Sequence, residues 1–369
     1  MTVSRGAPRG AIHEPTHGVH HGYAALLRRR IAMIVLIALA IAASFTWDFT
    51  SGPSGLPLAR LAELVVAPLR EWLAGAAAVF DADRVIVWDI RLPQALMAVL
   101  VGAALGLAGS EMQTVLDNPL ASPFTLGLSE AAAFGAALAI VVGVGIPGLS
   151  PEWLVTANAF LFALLAALLL DLVARALGMN ASGVVLFGIA LVFSFNALLW
   201  LMQYIASAEA LQAIVFWIMG SLTRATWPKV GVMALVLAVV LPLALRDAWR
   251  LTALRLGEER AASFGVDVGR LRLASLVRVA LLAGTAVSFV GTIGFIGLVA
   301  PHIARRLCGE DHRFYLPASA LVGAAVLSAA SIASKSIVPG AVIPVGIVTA
   351  LVGVPFFLAI VLRSRGSAA

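Results

Sequence analysis

The sequence is poor in charge, in lysine and in cysteine. Only 12% of its 369 residues are Asp, Glu, Lys or Arg, about half the roughly 25% of an average soluble domain, which excludes a freestanding water-soluble fold. Its single cysteine, Cys308, cannot form an intrachain disulfide, so nothing depends on an oxidising compartment. No stretch alternates apolar and polar residues with the period of two that a membrane barrel requires. No glycine-rich loop ending in Lys and Ser or Thr occurs, so the chain cannot hydrolyse ATP by that route. Lysine is confined to Lys229 and Lys335, and the formal charge of +6 is therefore an arginine charge gathered between apolar runs. That distribution sets membrane orientation and argues against nucleic-acid binding.

What is present is apolar surface: 61% hydrophobic residues and a mean hydropathy of +1.01. A membrane-crossing helix takes roughly 20 such residues, and lipid allows only helices once barrels are excluded. The expectation is an all-α polytopic protein of about ten spans. Residues 1–27 read as a disordered cytoplasmic tail, whose His13, His17, His20 and His21 have no rigid frame to fix a metal. Residues 28–369 read as the ten-span domain. Arg28, Arg29 and Arg30 hold the start of an uncleaved first span, 31–47, in the cytoplasm. Residues 57–80 form an external amphipathic segment, with Leu61, Val65, Leu69 and Trp72 set against Arg60, Glu63, Arg70 and Glu71. Further spans begin near Pro93, Phe124, Leu154, Val184, Val230, Leu273, Phe295, Leu316 and Ile343. An even count places both termini in the cytoplasm.

The spacing of Gly102, Gly109 and Pro119 recurs in Gly284, Gly291 and Pro301, which predicts two inverted halves of the kind that transport pathways use. Close helix packing is the ordinary use of such glycines. Between the halves lies a polar island, 246–278, with seven arginines and four carboxylates. The span count puts it in the cytoplasm, as a docking site for another protein or as a solvated loop that fixes topology. The spans offer no paired carboxylates for an ion relay and no catalytic set: Asp171 sits near a span end, and His302 suits capping or packing. A self-sufficient secondary transporter stays as an alternative and an intramembrane enzyme as a third reading, the spans showing neither an ionisable relay nor a catalytic set clearly.

Five segments carry a resemblance. They are RLPQALMAVLVGAALGLAGSEMQTVLDNPLASPFTLG (91–127), FWIMGSL (216–222), LGEERAASFGV (256–266), GTIGFIGLVAPHIARRLCGEDHR (291–313) and IPVGIVTALVGVPFFL (343–358). In this order they resemble the FecCD-type permeases of iron-siderophore, haem and cobalamin ABC importers. The resemblance implies a type II ABC importer architecture in the inner (cytoplasmic) membrane: a homodimer of ten-span subunits with two cytoplasmic ABC ATPase subunits. ATP and magnesium belong to those ATPases, leaving no cofactor or metal in this chain. An external or periplasmic binding protein would deliver an iron chelate, a ferric siderophore first and haem or cobalamin as alternatives.

The same resemblance implies roles for particular residues. Within the cytoplasmic region 246–272, Leu256, Gly257, Glu258, Ala261, Phe264 and Gly265 fall on a coupling helix that fits the ATPase, the glycines allowing close approach. Arg91 and Lys335 fall on binding-protein docking positions, Lys335 where the family has arginine. The family's second arginine is Gln94 here, and two acidic positions are Ser331 and Val342. Asn118, Pro119 and Leu120 match a cytoplasmic gate, preceded by Asp117 where a basic residue is common. Asn180 is either a second gate or a helix cap. Phe193, Phe195, Asn196, Trp200, Met202 and Tyr204 lie on the family's pathway-lining span.

Overall fold

The computed structural model describes residues 16–52, 55–74 and 81–366, and these are helical with connecting turns and no strand. Helix α1 (Thr16–Thr50) is followed by the amphipathic α2 (Leu58–Ala74). A short α3 (Ala82–Val85) runs through a π-helical turn into α4 (Leu92–Val115). Then come α5 (Leu128–Val142), α6 (Pro151–Ala176), α7 (Ala181–Ile205) and the short α8 (Ala208–Ile218). The second half holds α9 (Trp227–Arg246), the small α10 (Ala248–Leu254) and α11 (Glu258–Ser263), and α12 (Val268–Val290). It ends with α13 (Ile296–Cys308), α14 (His312–Ser336) and α15 (Val345–Gly366).

Seven of these segments are long and apolar enough to cross a membrane alone. Helices α5, α13 and α15 complete the ten expected positions. The correction at the N-terminus is that α1 begins at Thr16, so residues 16–27 of the expected tail are helical, as an apolar run extended by Tyr23, Ala24, Ala25, Leu26 and Leu27 favours. His13 lies outside the described residues. In α2 the buried pair is Leu61 and Leu64, whereas Val65, Leu69 and Trp72 face outward.

Helix α4 is the central post, buried along nearly its whole length. It packs on α14 at backbone distance: a methyl added at Gly102 would sit 2.4 Å from the Gly323 carbonyl oxygen, and one at Gly106 2.2 Å from that of Ser319. Gly109 meets α13 more tightly still, 1.8 Å from the Gly297 carbonyl oxygen. Small residues thus substitute for a hydrophobic drive that lipid removes, by letting backbones approach.

The pairing of helices has an inverted symmetry. Helix α4 packs on α14 as α12 packs on α6, α5 on α6 as α13 on α14, and α5 on α7 as α13 on α15. The end of α4 and the start of α12 lie at the same end of the bundle, since Arg255 just after α10 meets Asp117 just past α4, and Glu258 of α11 holds Arg272 near the start of α12. The residue register read from the glycines is corrected, however. Gly109 lies inside α4 whereas Gly291 ends α12, and Pro119 lies in a loop whereas Pro301 is inside α13.

Two non-helical stretches mark the symmetric positions. Residues 116–127 leave α4 and reach the middle of α7, where Gly127 approaches Val192 and Leu126 packs on Gly188. Residues 291–295 leave α12 and end at Phe295, which packs on Gly353 of α15. The second is largely enclosed by protein, whereas the first is buried at 121–123 and 126–127 and exposed at Asp117, Pro119, Leu120 and Phe124; irregular backbone at lipid depth needs protein or water around it.

Candidate coupling site and gate

The polar island folds into α10 and α11 at one end of the bundle. Gly257 begins α11 at φ 101°, and Gly265 follows it at φ 81°. The N–H of Val266 bonds the Ala261 carbonyl and that of Gly265 bonds Ala262, a doubly bonded helix stop. A methyl added at either glycine would meet nothing within 4 Å. Their use is therefore to supply a left-handed backbone, rather than to make room for a tight contact within the chain.

Ala261 points inward and is fully buried, while Leu256 and Phe264 are 54% and 56% exposed at either end of α11. Glu258 holds Arg272 at 2.5 Å. The element is anchored by one small residue and presents two large apolar side chains to the outside.

Helix α10 ties this platform to the end of α4. Arg278 donates to Glu111 at 2.9 Å and to Asp247, just before α10, at 2.9 Å, and all three are nearly or wholly removed from solvent. The ring of His312, at the start of α14, lies 2.8 Å from Thr114 Oγ1 and 3.1 Å from Thr252 Oγ1. Arg255 donates to Asp117 and to Glu310, each at 2.8 Å. Beside it, Asp311 caps α14 and pairs with Arg313, whose hydrogen bond draws the carboxyl below its usual range.

Asp117 opens the expected gate segment with φ 40°, rare for a residue other than glycine. The Asn118 side chain accepts the Leu120 N–H at 2.9 Å, closing a tight turn around Pro119, and Leu120 is 40% exposed. The expected coupling segment and the Asn118, Pro119, Leu120 turn are thus brought together through Arg255. Asn180 caps α7 by accepting the Gly183 N–H at 2.9 Å, which is the cap reading of its two expected uses.

Sequence reading missed Glu111, Arg278, Asp247, Thr252, Arg255 and His312 as a set. A carboxylate at Glu111, within an otherwise uncharged apolar span, was the available signal, because such a charge requires a partner.

At the opposite end, Arg91 and Lys335 are turned inward. Arg91 is 4% exposed and donates to the Thr50 carbonyl at 3.0 Å, while Lys335 bonds Asp48 at 2.9 Å and Ser331 joins the same carboxylate at 2.8 Å. Both expected docking cations are buried against the end of α1 and present no charge at the surface in this conformation. Among the remaining candidates, His302 packs edge-on against Phe356 and Asp171 pairs with Arg175.

Residues 40–363 match the FecCD transport family. The chain is 36% identical over 344 residues to the vitamin B12 import system permease protein BtuC of Klebsiella pneumoniae, covering 91% of this chain and 99% of that one. It is 38% identical over 280 residues to the hemin transport system permease protein HmuU of Yersinia pestis, covering 76% and 84%. A solved metal-chelate type ABC transporter in an inward-facing conformation superposes with a TM-score of 0.77 at 28% identity, over 90% of this chain and 99% of that one. With the ten helix positions, the inverted pairing and the match over nearly the whole length, the chain belongs to the FecCD transport family, as a permease subunit of an ABC importer.

Proposed function

We propose that this permease carries an iron chelate, first a ferric siderophore, inward across the cytoplasmic membrane as one half of a homodimer. The observation that carries the reading is the face of α7. Phe193, Trp200, Leu186 and Tyr204 are 63–88% exposed there, and the whole helix, ASGVVLFGIALVFSFNALLWLMQYI, holds no charged residue. An apolar, weakly polar wall suits a bulky complex that must slide rather than bind, and it holds no carboxylate, histidine or cysteine to compete for the metal.

In this proposal the α10 and α11 end faces the cytoplasm, with both termini, and two ABC ATPase subunits seat on α11. Leu256 and Phe264 would fill apolar depressions on the partner, and Glu259 and Arg260, both exposed, would orient the dock. A substrate-binding protein would meet the opposite end. Cobalamin is the second reading, favoured by the BtuC relative that this chain covers almost end to end.

The test is ATP turnover and uptake by the full complex in vesicles, with binding protein present, using ferric siderophores, haem and cobalamin in parallel. Stimulation by a ferric siderophore is expected. Stimulation by cobalamin or haem alone would overturn the siderophore assignment.

A further inference from the structure

Helix α10 and its flanking residues Asp247 and Arg255 grip the end of α4 at three places spaced three residues apart, two within α4 and one just past it. Glu111 is reached through Arg278 to Asp247, and Thr114 through His312 to Thr252. Asp117 is reached directly, by Arg255. The two inner links are buried at Glu111, Arg278, Thr114 and His312 and half-buried at Asp247 and Thr252, and each passes through a third helix, α12 or α14.

The outermost link differs in every respect. It is direct, and Arg255 immediately precedes Leu256, the first exposed apolar residue of the docking platform. The Asp117 side chain is 82% exposed, so this pair can exchange with water, whereas opening the buried Arg278 and Glu111 pair would strand a charge. Asp117 also sits at a left-handed φ of 40°, a backbone shape that non-glycine residues hold only when something around them fixes it. The other arm of the Arg255 fork takes Glu310, in the turn between α13 and α14. One guanidinium therefore joins the docking platform, the Asn118 and Pro119 turn, and the start of α14, using the forked geometry that lysine lacks.

We infer that Arg255 is a positioning residue that transmits movement of the coupling segment to the gate turn through Asp117. The inner links hold α10 and α4 together through the cycle, and the Arg255 to Asp117 pair forms and parts. This rests on the proposed seating of the ATPase on α11.

The experiment uses the complete complex in vesicles and reads chelate transported per ATP hydrolysed, with ATPase association measured separately by co-purification. Asp117→Arg and Arg255→Glu are each expected to lower transport per ATP by about fivefold, with association unchanged, and the double exchange to restore most of it. The milder Asp117→Asn, which keeps the turn, is expected to fall between them and the native protein. Native transport per ATP in both reversals, or a double exchange no better than either single, overturns the inference. Phe264→Glu separates the underlying reading: if it leaves association intact, the seating on α11 fails. Lost association with Phe264→Glu but native behaviour of both reversals condemns the Arg255 link alone.

Discussion

Glycines of two kinds carry opposite consequences at single positions. Gly109 faces a carbonyl oxygen of another helix, and no side-chain shift can relieve that clash. Gly109→Ala is expected to destabilise by about 2 kcal/mol or more, read as a lowered midpoint of thermal unfolding in detergent. Gly231→Ala is the comparison: it lies in α9 with nothing near an added methyl, and should be neutral or stabilising by about 0.5–1 kcal/mol. The packing use of Gly102 and Gly109 was legible because small residues in apolar spans have few other purposes. The backbone use of Gly257 was not, because a positive φ leaves no trace in composition.

Charge at the opposite end yields a second expectation. Asp48 is fully buried and holds Lys335, itself nearly buried, 287 residues away. Asp48→Ala should cost about 3–5 kcal/mol by stranding the ammonium, while Asp48→Ala with Lys335→Met should recover most of it, both checked by the same unfolding midpoint. Asp48 directly follows the expected first span, 31–47, and no local signal names a partner so distant.

Elements were the best-read level. Span starts follow apolar runs and fall within five residues of the expected ones, except that α1 begins at Thr16 rather than Ile31; the late start of α5 has a local cause. There the run beginning near Phe124 is apolar but not helical: Ser122 and Thr125 bond one another through side chains and backbone, and the helix waits until Leu128. Competition by short polar side chains for backbone groups explains the delay. Helix α11 was legible as an island of charge, and its two exposed apolar ends give it a testable use. Phe264→Glu is expected to weaken ATPase association about tenfold or more, as loss of a buried aromatic anchor does at interfaces, without moving the unfolding midpoint, since that ring touches solvent.

At the scale of the molecule, inverted halves were read correctly from a register that the fold does not keep. The glycine spacing pointed to α4 and α12, but equivalence lies in which helix lies against which. Pairings such as α4 with α14 and α12 with α6 are three-dimensional facts that a residue offset cannot encode. The network under α10 was hidden for the same reason, its members being scattered from Glu111 to His312.

The half-length of α13 also bears on how the chain enters the membrane during synthesis. Thirteen residues rise only about 20 Å, short of a hydrocarbon core of about 30 Å, and its last turn carries Arg305 and Arg306. Such a segment cannot partition into lipid on its own account. Its seat between α4 and α14 exists only after α14 has been made, so insertion cannot proceed strictly helix by helix. The wall that α13 forms against α4 is among the last parts of the protein to be set in place.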